Sequence, residues 1–143
     1  MLRRTRNHPC SEWDASDWVE YKVIRNLQSK GCVVYKEYTL ENGGRVDFVG
    51  RKPDTWETSF VEVKRPDYLG SGLHEISTGV GQLLYYHHFD PKAELIIAFP
   101  QNSVKLGKEI IAFLVSNNVQ PWQLSPPEHP TGGPGFFNAT IKK

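Results

Sequence analysis

The sequence predicts one mixed α/β domain, in which a mixed β-sheet is flanked by helices on both faces. The chain of 143 residues fits a single core but not a second full domain. Hydrophobic residues make up 38% and charged residues 23%, which indicates a packed globular protein and not a disordered one. Segments with helical spacing alternate with β-rich runs in the order α-β-β-β-α-β-α-β, a pattern typical of helices packed on a sheet.

The first predicted element is an amphipathic helix over residues 14–31. Its apolar residues recur at four-residue spacing, at Val19, Val23 and Leu27. Ser16 or Asp17 is the expected N-cap, and Gly31 lies where a C-cap belongs. Glu20 follows Asp17 by three residues, which is the outline of a capping box.

Three strands are predicted next. The β-rich runs at 32–40 and 45–52 flank the turn signal at 41–44, and this arrangement indicates a hairpin. A loop then leads to a third strand at 59–65. Pro66 ends that strand because proline cannot donate to a strand ladder.

Helix and strand alternate in the second half. Residues 73–89 have helical spacing, and we expect Gly79 and Gly81, which weaken a helix, to permit close packing on the sheet. The apolar run at 93–100 predicts a buried strand.

A last helix and strand are predicted at 103–118 and 119–124. The candidate core positions of this helix are Val104, Ile110, Ile111, Leu114 and Val115. The strands of the second half should extend the three antiparallel strands in parallel, through right-handed crossovers.

The domain is expected to span residues 1–143, with its core at about 14–124. Residues 1–13 form a basic arm whose arginines could contact phosphates, although a solvated terminus is the preferred explanation. Residues 125–143 form a Pro/Gly-rich tail.

Charge and cysteine content exclude several classes of protein. A net charge of +1 provides no global attraction to polyanions, so nucleic-acid binding would depend on local clusters of Lys and Arg. Cys10 and Cys32 are too few for a disulfide framework or a four-cysteine iron–sulfur cluster. No apolar run reaches membrane-spanning length. We therefore expect a cytoplasmic protein with no membrane partner.

Three charged residues on neighbouring predicted strands are the candidate catalytic centre. Glu62 and Lys64 lie on the same side of one strand, about 6 to 7 Å apart. Asp47 interrupts an apolar run in the preceding strand, where a buried carboxylate needs a partner or a metal ion. The two acids could hold Mg²⁺ with the backbone carbonyl of Val63, and Lys64 could act on the attacking water. The alternative is the solvent-exposed face of an ordinary half-buried strand.

The segments VDF and VEVK resemble the PD-(D/E)XK nuclease superfamily, with Asp47 as the first acid and Glu62, Val63 and Lys64 as the (D/E)XK triplet. The proline–aspartate form is absent because Val46 precedes the first acid, at a place where the superfamily is loose. The resemblance covers roughly residues 17–100. It implies a restriction-endonuclease-like fold, with Mg²⁺ or Mn²⁺ as the cofactor and DNA as the partner.

Two further motifs carry the resemblance. Gln82 and Tyr86 resemble the Gln-x-x-x-Tyr motif of the RecB-like branch, and their spacing puts both on one helix face. The resemblance implies that they order the water, Lys64 or the substrate strand. Glu20 lies where many members have an additional metal-site acid, but it could be only a capping residue. Gln82 and Tyr86 could likewise be one polar and one core residue of an ordinary helix.

The sequence thus leads us to expect a Mg²⁺-dependent deoxyribonuclease, an endonuclease rather than an exonuclease, and a homodimer if it cuts both strands. The alternatives are a non-cleaving nucleic-acid-binding module of a larger complex and a plain protein-interaction domain. The expected nucleic-acid contacts are Arg45, Arg51, Lys52, Trp56 and Arg65.

Overall fold

The structure is a computed structural model that describes residues 7–41, 43–65, 72–101 and 108–127. In these residues a six-stranded mixed sheet packs with three α-helices, which confirms the predicted mixed α/β class. Residues 1–6 of the predicted basic arm, which include its three arginines, Asn42 of the first turn and most of the Pro/Gly tail lie outside the described residues. None of the described helices is long and apolar enough to cross a membrane.

The elements follow the predicted order, with one addition at the start. The strands are β1 (Pro9–Cys10), β2 (Val33–Thr39), β3 (Arg45–Arg51), β4 (Thr58–Val63), β5 (Glu94–Pro100) and β6 (Val119–Leu124). The helices are α1 (Trp18–Ser29), α2 (Gly72–Phe89) and α3 (Lys108–Ser116), and a short 3-10 turn at Glu12–Asp14 precedes α1.

The sheet has the strand order β1-β2-β3-β4-β5-β6. The pairs from β1 to β4 are antiparallel, whereas β5 and β6 add in parallel, as predicted. The two-residue strand β1 was not predicted, because it falls in the basic arm and has no β-rich pattern. This strand forms because Pro9 and Cys10 pair with Tyr35 and Val34 of β2.

Local signals set the ends of α1. The Asp17 side chain accepts a hydrogen bond from the Glu20 N–H at 3.0 Å, so Asp17 is the N-cap. The helix ends at Ser29, Lys30 is the C-cap, and Gly31 follows in the left-handed region with φ 89°. The helix therefore begins later than residue 14, because the chain first forms the 3-10 turn.

Two apolar clusters cover the two faces of the sheet. Helices α2 and α3 pack on one face, through residues that include Ile76, Leu83 and Leu114. Helix α1 packs on the other face, through Val23 and Leu27 among others. Strand β4 lies between the clusters, and all six of its residues are buried. The alternative interpretation of this strand as one with a solvent-exposed face is therefore wrong for residues 58–63.

The predicted core of the last helix is correct only in part. Leu114 is fully buried and Ile110 is partly buried, because a four-residue spacing keeps both on the face toward the sheet. Val115 is 59% exposed, so its predicted core position is wrong. The next residue along a helix is rotated by about 100°, which turns Val115 away from the face of Leu114. Val104 lies outside the described residues.

Strand β3 changes face at Asp47. Val46 and Val49 both belong to the α2-side cluster, whereas Phe48 belongs to the α1-side cluster. In a regular strand Val46 and Phe48 would share a face. The pairs with β2 and β4 omit Asp47, and Glu37, which lies across from it in β2, has a left-handed φ of 53°. The irregularity turns the Asp47 side chain toward β4.

Substitution of Gly79 tests the close approach of α2 to the sheet. A methyl group at this position would lie 2.6 Å from Ile97 Cδ1 and 3.2 Å from Lys64 Cε, so we expect Gly79→Ala to destabilise the fold by about 1–3 kcal/mol. Gly81→Ala is the matched control, because nothing lies within 4 Å of its added methyl group. The control should be neutral or stabilising by up to about 1 kcal/mol. Urea unfolding of both variants measures the difference, and equal stabilities would contradict the packing described.

Candidate functional site

A cleft of about 280 Å³ lies where β3 and β4 stop pairing, and five elements contribute to it. It brings together most of the residues that the sequence pattern and the resemblance singled out. Its lining residues are Glu20 of α1, Lys36 and Glu37 of β2, Asp47 and Phe48 of β3, Glu62 and Val63 of β4, Lys64 and Arg65 after β4, and Gln82 of α2.

Asp47 and Glu62 form the floor of the cleft. The Asp47 carboxylate accepts a hydrogen bond from the Val63 N–H at 2.8 Å, and the Asp47 N–H points to Glu62 Oε2 at 3.4 Å. These side-chain contacts replace the regular ladder between the two strands, and the two carboxyl groups lie close enough to share a proton. The strand register therefore aims both acids at one point.

Burial perturbs the acidity of Glu62. The residue is 2% exposed in the all-buried strand β4. Desolvation, and next the neighbouring charge of Asp47, raise the pKa of Glu62 to about 8, while Lys64 opposes the shift. Because burial and mutual repulsion disfavour two negative charges at this place, the acid pair favours binding of a proton or a cation.

Lys64 and Gln82 complete the wall of the cleft toward α2. Lys64 forms no side-chain hydrogen bond or ion pair within the described part of the chain. Its aliphatic stem runs past Gly79, as the short distance to an added methyl group shows. Gln82 Oε1 is buried and has no hydrogen-bond partner among the described residues. A buried oxygen without a partner is costly, which is typical of a site that takes a ligand or water.

Tyr86 lies beside the cleft and not in its lining. It is 4% exposed, packs edge-to-face on Phe60, and donates a hydrogen bond to the Arg45 carbonyl at 2.7 Å. Burial, and next the charge of Glu62, raise the pKa of Tyr86, so its hydroxyl stays a donor. Tyr86 therefore holds β3 two residues before Asp47.

Glu20 lines the cleft, and its negative charge is already paired with the ammonium of Lys36. One carboxylate oxygen accepts hydrogen bonds from the Ser16 N–H and the Lys36 ammonium, both at 2.9 Å. The other oxygen lies 3.8 Å from Arg65. The carboxylate does not return to the N–H of Asp17, so a complete capping box is absent at this helix end.

Two cleft residues, Lys36 and Glu37, were missed by the sequence analysis. A signal existed, because a hairpin turning at 41–44 places residue 37 across from residue 47 in the register that the structure shows. Charged residues in a β-rich run next to the strand of Asp47 could therefore have been assigned to the site.

The expected nucleic-acid contacts are distributed over two ends of the β3–β4 pair. Arg65 lines the cleft, and Arg45 lies at its rim with an exposed side chain 4.0 Å from Glu37. The other three, Arg51, Lys52 and Trp56, lie at the opposite end, about 13 Å from Asp47 along the strand.

At the opposite end of the β3–β4 pair, Arg51 lies beside two aromatic rings. The Arg51 guanidinium lies 5.6 Å from the ring of Tyr38 and 5.7 Å from the ring of Trp56, which is 67% exposed. Lys52 instead pairs with Glu57 at 3.3 Å. Arg51 and Tyr38 also line a hollow of about 970 Å³ that does not include Asp47 or Glu62. The structure thus does not join these three residues to the cleft.

The donor set at the floor fits a hard divalent cation. Asp47, Glu62, the Val63 carbonyl and the partnerless Gln82 oxygen are all oxygen ligands, and Mg²⁺ needs only one or two carboxylates when waters complete its shell. No group of three or more His, Cys, Asp or Glu side chains that could hold a metal occurs in the described ranges. Any ion here would depend on the acid pair and not on a larger cluster.

Comparisons with family models, with curated proteins and with solved structures found no match for this chain.

The raised pKa of Glu62 predicts how stability depends on pH in metal-free protein. The folded state keeps the Glu62 proton up to about pH 8, whereas the unfolded chain loses it near the ordinary value of 4.5. Between these values the folded state binds more protons, so the free energy of unfolding decreases as pH rises. We expect Glu62→Gln to lack this decrease. Thermal unfolding in chelator from about pH 5 to about pH 8 measures it, and parallel profiles for the two proteins would contradict the shift.

Proposed function

We propose that the protein is a metal-dependent nuclease of restriction-endonuclease-like fold that hydrolyses phosphodiester bonds in DNA by a PD-(D/E)XK mechanism. The observation that carries the proposal is the pairing of half-buried Asp47 with buried Glu62 beside Lys64, whose ammonium has no partner among the described residues, in one cleft. The sheet order and the placement of Gln82 on the same wall add support.

The acid pair would hold one hard cation. Asp47, Glu62 and the carbonyl of Val63 supply its oxygen ligands, with Mg²⁺ or Mn²⁺ as the ion. Such an ion polarises a phosphoryl oxygen and lowers the pKa of a bound water. Loading the site would remove the proton that Glu62 holds in the metal-free protein, so metal affinity should increase with pH.

Lys64 acts on the reacting water and on the phosphate. Its ammonium has no other partner among the described residues, so it is available to orient the attacking oxygen and to offset the negative charge that develops on phosphorus. Gln82 lines the same cleft, and its side-chain amide would fix the position of the ammonium or the water during the reaction. Gly79 leaves the room that the lysine stem needs.

Two residues position the reacting groups and the substrate without joining the chemistry. Tyr86 anchors the start of β3 through the Arg45 carbonyl, two residues before Asp47, and so holds the strand that carries this acid. Arg65 lines the cleft and would contact a backbone phosphate on exchanging the two hydrogen bonds, at 2.8 and 2.9 Å, that it now donates to Asp17. The open cleft between strands suits an internal phosphodiester, so we favour endonuclease over exonuclease activity.

A cleavage assay tests the proposed function. Labelled duplex, branched and single-stranded DNA should be cut in Mg²⁺ or Mn²⁺ but not in chelator. Asp47→Asn and Lys64→Met should each lower the rate by at least about a hundredfold, because each removes a group that acts in the transition state. Lys92→Met is the matched control, since Lys92 is an exposed lysine in the turn before β5 and lines no part of the cleft.

The outcomes separate the proposed function from its alternative. Cutting by Lys64→Met at the wild-type rate would contradict the assignment of Lys64. DNA binding without cleavage under any divalent ion would favour the non-cleaving module that the sequence left open.

A further inference from the structure

The cleft divides into two halves that differ in how their charges are matched. In the half next to β4, the described residues provide no ion pair for Asp47 or Glu62, and the two carboxyl groups face each other. In the half next to α1, Glu20 is paired with Lys36 at 2.9 Å and approached by Arg65 at 3.8 Å. Glu37, the fourth acid of the lining, lies 4.0 Å from Arg45, so among the described residues only Asp47 and Glu62 have negative charge left for an added cation.

Lys36 is held in place and is not a mobile surface lysine. Its ammonium donates to the Asp14 carbonyl at 3.0 Å as well as to Glu20, so it bridges α1 and the turn that precedes the helix. The side chains of Lys36 and Glu20 are 24% and 15% exposed. A charge-assisted, partly desolvated pair with further hydrogen bonds resists displacement more strongly than an exposed pair does.

A second metal ion would need the ligands that Lys36 already occupies. Such an ion would share Asp47 with the first ion and take Glu20 as its other carboxylate. Glu20 Oε1 already accepts two hydrogen bonds, from Ser16 and Lys36, and no three acids converge among the described residues. Binding would therefore require the ammonium to leave first, at the cost of a partly buried charge pair.

We infer that Lys36 stands in place of a second metal ion, so that the cleft binds a single divalent cation at Asp47 and Glu62. The ammonium supplies a fixed positive charge on the Glu20 side, where it can offset charge on a phosphodiester substrate. Glu20 then serves to hold Lys36 and is not a metal ligand. The inference rests on the proposed function, because it concerns the cation of that same centre.

Counting bound Mn²⁺ tests the inference without any need for activity. Chelator-treated protein is titrated with Mn²⁺ by calorimetry and by the electron paramagnetic resonance signal of the free ion. We expect one ion per wild-type chain. Glu20→Gln should keep one ion, with an affinity within about twofold of wild type. Asp47→Asn should weaken binding by at least about tenfold.

Variants of Lys36 separate a charge role from a merely structural one. Lys36→Met should bind a second ion, which is lost again when Glu20→Gln is added. Lys36→Arg keeps the positive charge and should bind one ion. Circular dichroism and thermal unfolding of each variant establish that the titrated protein is folded.

Each result decides the matter. Two ions in the wild type, a loss of affinity in Glu20→Gln as large as that in Asp47→Asn, or a single ion in folded Lys36→Met would overturn the inference and leave the proposed nuclease intact. No Mn²⁺ bound to the wild type would overturn both. One ion in the wild type with two in Lys36→Met, but no cleavage of any DNA, would support the metal count while contradicting the proposed function.

Discussion

The constraint on which the rest of this structure depends is the burial of the Glu62 carboxyl in a strand that is covered on both faces. A carboxylate in such a place needs a proton, a hydrogen-bond donor or a cation. The pairing of β3 with β4 is irregular at this point. Asp47 is not part of the strand ladder, and its carboxylate accepts a hydrogen bond from the Val63 N–H. Glu37 takes a left-handed φ across from it. Continued regularly, the β3–β4 register would put Asp47 directly across from Glu62, and the irregular pairing keeps the two acids adjacent while the Asp47 carboxylate accepts the Val63 N–H.

The two helical layers act on this point from opposite sides. Helix α2 approaches closely because Gly79 has no side chain, and this brings Gln82 to the cleft and the Tyr86 hydroxyl to the backbone of β3. Helix α1 brings Glu20 with its matching cation. One wall therefore offers a buried oxygen and a lysine, neither of which has a partner in the described part of the chain, whereas the other wall offers a completed ion pair. This asymmetry is the basis for proposing one divalent cation rather than two.

The arrangement also links stability to function. Because burial raises the pKa of Glu62, the metal-free fold loses stability as pH rises from about 4.5 to about 8, and a cation that binds only the folded state would restore that stability by mass action. Stability that depends on a bound ion is expected where the same side chains serve the fold and the site.

By itself, the sequence determined the features that depend on near neighbours in the chain. Helical and strand periods, the Asp17 cap and the turn at 41–44 set the element order, and strand alternation put Glu62 and Lys64 on one side. Only the tertiary structure decided which distant groups meet. Strand β1, the pairing of Lys36 with Glu20, the displaced Asp47 and the exposure of Val115 all depend on packing and register. Those interactions join residues far apart in the chain, and no local period encodes them.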